Sequence, residues 1–228
     1  MDNQLQNELI DFLGDYVTDH KKELIQEILA NRTRYITVAL EDIYQPQNAS
    51  AVVRTCDCFG IQDIHIIENS NKYDLNPKVV QGASKWVDLI KYDCEGADNT
   101  KACIEDLRRK GYKIIATSPR KPSTSIHDLN LDQKIALMFG TELTGLSDDA
   151  LSAADELVHI PMYGFTESFN LSVSAAICMS ILSHQLRRSN VNWRLNEEEK
   201  ATLQLKWFRK IVNKSEMLEA KFLENRDK

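Results

Sequence analysis

Apolar residues in the first thirty positions recur at helical spacing: Leu5, Leu9, Phe12, Leu13 and Tyr16, then Leu24, Ile25, Ile28 and Leu29, with an interruption at 17–20. They predict one or two N-terminal helices. From residue 35 the pattern changes to short apolar runs at 35–40, 64–67, 86–90, 113–117, 135–139 and 157–160, separated by amphipathic stretches near 48–58, 99–110 and 147–153. Such strand–helix alternation predicts an α/β domain with a mostly parallel sheet and helices on both faces. Two longer helical regions close the chain. The first, 169–188, places Leu171, Ala175, Cys178 and Leu182 on a broad buried face, and the second, 196–224, opens with Asn196 and three glutamates, a composition suited to a helix N-terminus. The expected organisation is a helical extension at 1–34, the α/β domain at 35–189 and a basic helical extension at 190–228.

Charge qualifies this picture. The 228 residues carry 28 Lys or Arg against 34 Asp or Glu, a net of -6, so the surface as a whole is no polyanion-binding glove. Residues 187–228 nevertheless hold eleven basic against seven acidic side chains, which makes the tail the basic part. The five cysteines, at 56, 58, 94, 103 and 178, lack C-x-x-C spacing and fall in stretches that read as core. They support neither a disulfide framework nor a metal site and suit a reducing compartment, the cytoplasm. No segment approaches the roughly 20 apolar residues of a membrane span. No two glycines stand two apart, so the dinucleotide-binding pattern G-x-G-x-x-G is excluded.

Three clusters carry polar chemistry at the ends of apolar runs. In the first, Pro46 sets a turn, Asn48 is a natural helix cap, and Arg54 lies six residues further up the helix, from where a long side chain reaches back toward the cap. Taken alone, this pair also reads as a plain cap and a solvated arginine. In the second, Gly140 and Gly145 flank Glu142 after the run 135–139, and Ser147 is placed to cap the next helix. Leu146 stands where a phosphate loop needs its Lys, so the pattern does not support triphosphate binding. The third cluster runs from Ile160 through Met162, Ser168 and Phe169 to Asn170, with hydroxyl and amide groups crowded ahead of a helix rich in small residues.

The order Asn48-x5-Arg54, Gly140-Thr141-Glu142-x2-Gly145 and Ile160-Pro161-Met162-x5-Ser168-Phe169-Asn170 resembles the three motifs of the TrmH (SpoU) family in the SPOUT superfamily of RNA 2'-O-methyltransferases. The resemblance implies a sheet whose C-terminal part is tied in a deep trefoil knot. It implies S-adenosylmethionine held by Thr117, Gly140, Ile160, Met162 and Phe169, and a homodimer with the active site at the subunit interface. It makes Arg54 the catalytic residue, a clamp on phosphate and nascent alkoxide, since a guanidinium with a pKa above about 12 is a poor base. Asn48, Glu142, Ser168 and Asn170 match the remaining polar signature positions, and Arg187 and Arg188 would contact RNA. The terminal helices are most similar to those of members that methylate the ribose of guanosine 18 in tRNA, with ribosomal RNA as the nearest alternative substrate. A catalytically silent RNA-binding dimer and an enzyme acting on a small metabolite are the competing classes.

Overall fold

A computed structural model describes residues 2–73, 76–80, 82–119 and 122–226. The chain divides into two compact units, Thr33–Trp193 and the two termini together, Met1–Arg32 with Arg194–Lys228.

The larger unit is built on seven parallel strands in the order β3-β2-β1-β6-β4-β7-β5. These are β1 (Ile36–Glu41), β2 (Asp63–Ile67), β3 (Asp88–Tyr92), β4 (Lys113–Thr117), β5 (Thr124–Ser125), β6 (Ile135–Phe139) and β7 (Glu156–His159). Alternate residues of the central strands serve opposite faces. Ile36, Val38, Leu40, Ile135, Leu137 and Phe139 join one core cluster, while Ala39, Ala136 and Met138 join another. Helices α3 (Pro46–Cys58) and α7 (Leu171–Arg188) pack Val52, Val53, Ala175, Met179 and Leu182 into the first. Helices α5 (Asn99–Arg109) and α6 (Asp148–Ala153) pack Cys103, Ile104, Leu107 and Ala150 into the second. Burial on both faces is why these strands read as continuous apolar runs rather than alternating ones.

Several boundaries differ from expectation for local reasons. β3 starts at Asp88 rather than 86, because Ala83–Lys85 forms a 3-10 turn capped by Trp86. β5, two residues long, and the single turn α4 (Pro77–Val80) gave no periodic signal. Helix α3 begins at Pro46, whose fixed φ suits the first helical position, so Gln45 occupies the cap position and Asn48 lies inside the first turn. Helix α7 begins at Leu171 with Asn170 as its cap; Ser168 precedes it. Of the cysteines, Cys56, Cys103 and Cys178 are buried, whereas Cys58 and Cys94 are exposed.

The smaller unit comprises α1 (Asn3–Gly14), α2 (Asp19–Asn31), α8 (Glu197–Ile211) and α9 (Ser215–Arg226), around Leu9, Leu13, Ile25, Leu29, Leu203 and Trp207. The region expected as one helix from 196 splits in two at Lys214, which adopts a left-handed φ of 57°. Asn196 caps α8 in a capping box with Glu199. The basic tail is not a free patch: the unit holds twelve basic and fourteen acidic side chains, Arg226 pairs with Glu8 at 2.7 Å, and Arg209 pairs with Glu219 at 2.7 Å. No helix among the described residues is long and apolar enough to cross a membrane.

Candidate active site

The site lies where β1, β4, β6 and β7 end, the edge at which open α/β sheets bind ligands. Two lobes form one groove. The more apolar lobe, a cavity of about 100 Å³, is lined by Val158, Ile160, Met162, Phe169 and Cys178, and the more polar lobe, of about 330 Å³, by Gly140, Glu142, Gly145 and Leu146. Thr117, Ser118, Glu167, Ser168, Phe169 and Ser174 line both. The described lining carries two carboxylates, Glu142 and Glu167, and no Lys or Arg, which complements a cationic ligand rather than a phosphate. Cys178 is inert there, because burial pushes its thiol up to about 12 and keeps it protonated at neutral pH.

Backbone geometry demands both loop glycines. A Cβ on Gly140 would stand 2.2 Å from the backbone of Gly145 and Leu146, and Gly145 itself has a φ of 75°. Thr141 and Gly145 exchange two backbone hydrogen bonds of 3.0 Å, closing the loop into a ring that presents Glu142. Thr117, at the end of β4, donates its hydroxyl to the Met138 carbonyl at 2.8 Å, fixing that strand end against β6.

Asn48 joins the three clusters. Buried at 7% exposure, it donates through Nδ2 to Gln45 and to the Glu142 carboxylate, and its Oδ1 accepts from Asn170 Nδ2 at 3.1 Å. Asn170 in turn accepts from the backbone N–H groups of Ser172 and Val173, capping α7. Each amide thus uses both ends, and the polar chain runs from the loop after β6 through α3 to α7.

Arg54 does not join them. It is exposed, lines neither lobe, and among the described residues no hydrogen bond or ion pair engages it. Positions six apart on a helix are about 120° apart around its axis, so the reach toward Asn48 expected from the sequence is not what this chain shows. Arg187 donates to the carbonyls of Phe59 (2.9 Å) and Ser183 (3.3 Å) and stacks over Trp193, while Arg188 is exposed beside His184. Burial lowers the Arg187 guanidinium from its ordinary value. Sequence reasoning missed Glu41, whose buried carboxylate accepts from Ser147 and Thr100; its signal was a lone charge ending an otherwise uncharged, mostly aliphatic run.

Fold and groove together define an α/β ligand-binding protein whose cleft is built from strand ends and joined by one side-chain amide. A family model described as the SpoU rRNA methylase family matches residues 35–180, and the chain belongs to that family. It is 47% identical over 210 residues to a tRNA (guanosine(18)-2'-O)-methyltransferase of Borreliella burgdorferi, covering 92% of this chain and 94% of that one. A protein of the same name from Thermus thermophilus is 29% identical, over 85% of this chain and 98% of that one. Among solved structures, the A. aeolicus TrmH/SpoU tRNA modifying enzyme superposes with a TM-score of 0.76 at 28% identity, covering 86% of this chain and 98% of that one.

Proposed function

We propose that this protein is an S-adenosylmethionine-dependent RNA ribose 2'-O-methyltransferase that acts on tRNA at guanosine 18. The observation that carries the reading is the bonding of Asn48 to both Glu142 and Asn170, which unites the three family motifs at the mouth of the groove. The names of the relatives at 47% and 29% identity support the tRNA substrate. Bound in the groove, S-adenosylmethionine would supply a sulfonium methyl group for displacement by a ribose 2'-hydroxyl. The two carboxylates of the lining suit that cation, and the Gly140–Gly145 approach leaves backbone, not side chain, facing the ligand. Thr117, Gly140, Ile160, Met162 and Phe169 would hold the donor, with Ser168 beside it. Much of the rate would then come from alignment, worth roughly 7–11 kcal/mol in favourable cases.

The active form in this reading is a homodimer in which Arg54 of one copy completes the groove of the other. An exposed arginine with no partner among the described residues supports it, as do Leu143, Tyr163 and Phe165, at 95%, 96% and 108% exposure, on the loops that frame the groove. Arg54 would clamp the phosphate and the developing alkoxide. Arg188 would contact RNA, a role for which Arg187 has less to offer because its guanidinium already serves two carbonyls. The trefoil knot belongs to the same proposal: β4, β6 and β7 neighbour one another out of chain order, as strands in such a knot would. Free thiols at all five cysteines fit a reducing cytoplasm.

The test is transfer of a labelled methyl group to an unmodified tRNA transcript, followed by mapping of the modified nucleotide. Wild type methylates guanosine 18, and Arg54→Ala loses transfer by about 10³-fold while keeping donor affinity. Modification of ribosomal RNA alone would reassign the substrate, and donor binding without transfer to any RNA would leave a silent RNA-binding dimer.

A further inference from the structure

Glu41 ends β1 at 3% exposure, and no ion pair engages it among the described residues. Its carboxylate is held by neutral donors: Oε1 accepts from the Thr100 hydroxyl at 2.6 Å and the Ser147 hydroxyl at 2.8 Å, and Oε2 accepts from the Ser147 backbone N–H at 2.8 Å. A buried carboxylate is costly unless its lone pairs are satisfied, and an apolar residue would end the strand at no such cost. What the carboxylate touches explains its presence.

Ser147 is the exit of the loop that begins at Gly140. Its hydroxyl, while donating to Glu41, accepts from the Ala150 N–H at 3.1 Å, so one side chain fixes both the cap of α6 and the end of the loop. Just before it, Leu146 is buried and Gly145 closes the ring with Thr141. The loop is therefore anchored at both ends, by β6 at Phe139 and by Glu41 at Ser147. Glu142, between the anchors, can meet Asn48 only if the exit is in register. Glu41 and Asn48 lie on one short stretch of chain, seven residues apart, and grip the loop at two points.

We propose that Glu41 is a positioning residue of the methyl-transfer site: it sets the register of the 140–146 loop, and through it the placement of Glu142 and of the backbone that faces the donor. The inference rests on the reading that the groove holds the methyl donor, but its structural half is tested without any donor. In the full-length protein, Glu41→Gln keeps the size of the side chain and turns an acceptor into a donor against the bonds it makes. Amide hydrogen exchange is expected to accelerate across residues 140–147 and to stay unchanged in the rest of the sheet.

With S-adenosylmethionine and tRNA transcript, Glu41→Gln lowers kcat/KM for the donor by up to about 10²-fold, the size of loss that an ångström-scale misplacement produces, and leaves KM for tRNA unchanged. In a Glu142→Gln background the same change costs little more, because both act through one carboxylate. Ser147→Ala, which removes one of the three bonds and the α6 cap with it, gives a loss in the same direction, and Thr100→Val, which leaves both Ser147 bonds to Glu41 in place, has the smallest effect on loop exchange. Unchanged exchange in Glu41→Gln, or losses that multiply fully with those of Glu142→Gln, overturns the proposal. Should Glu41→Gln not fold, Glu41→Asp, which keeps the carboxylate but shortens its reach to Ser147, decides by the same exchange readout: unchanged exchange at 140–147 overturns the proposal. A wild type that binds no donor would sink the proposed function, and the exchange result would still decide the role of Glu41.

Discussion

The two ends of the sheet handle polarity in opposite ways. At the end where β2 and β3 begin, charge meets charge: Arg34 lies 3.1 Å from Asp63 and 2.9 Å from Asp88, and each of these side chains is less than a quarter exposed. Where β1, β4 and β6 finish, the buried polar groups are held instead by amides, hydroxyls and backbone N–H groups around two carboxylates, Glu41 and Glu142. Ion pairs that satisfy one another are inert toward a ligand. At the other end the two carboxylates have neutral donors as their hydrogen-bond partners among the described residues, and that end is the one that opens into a groove. The lesson is that charge pairing marks where this fold is merely held together, and neutral bonding marks where it works.

The comparison breaks most severely at Gly140. In Gly140→Ala the added methyl would meet backbone at 2.2 Å, so the polar lobe must deform, and donor affinity measured by calorimetry is expected to fall beyond detection while the circular dichroism spectrum stays that of the wild type. Retained affinity would mean the loop is not the ligand's cradle. At the opposite end, Arg34→Ala leaves Asp63 and Asp88 facing each other. Burial already raises the Asp63 carboxyl despite the neighbouring arginine, so this variant is expected to lose about 3 kcal/mol in urea denaturation. Its kcat per folded molecule should equal that of the wild type, and a matching loss of kcat would erase the distinction between the two ends.

A smaller effect sharpens the contrast by pH. His65 is buried against the Tyr92 hydroxyl, with Asp106 and Lys110 nearby, and burial lowers its ring from 6.5 to about 4. The unfolded chain therefore takes up a proton below pH 6.5 that the folded chain refuses until about pH 4, and stability falls as pH drops through that window. Between pH 7 and pH 5 the loss is about 2 kcal/mol, and His65→Gln should flatten it. Asp106 does not contribute there: although burial opposes it, hydrogen bonds from Lys110 and Tyr92 hold its carboxyl down at about 2.

The sheet was legible because its central strands β1 and β6 are buried on both faces and the others keep a mostly apolar middle, whereas β5, at two residues, is too short to make a pattern. The loop motifs were legible because Gly140 and Gly145 answer steric demands that no other residue meets. Asn48 was seen, but for the wrong local reason. Asn is a good cap, and only the position of Glu142, 94 residues away, reveals that its amide faces inward. Arg187 read as surface charge because nothing local announces Trp193 beneath it or the Phe59 carbonyl 128 residues back. Glu41 carried no motif at all, since its meaning lies in a bond to Ser147 across 106 residues.

The four terminal helices hold their own consequence. With Arg226 neutralised by Glu8, and fourteen acids against twelve bases, that unit exerts no long-range pull on a polyelectrolyte. Any counterion release there has to come from single lysines and arginines meeting single phosphates, since the unit as a whole has no positive charge to concentrate them. Whatever it contributes to holding a nucleic acid therefore depends on where its basic side chains stand rather than on how many it has.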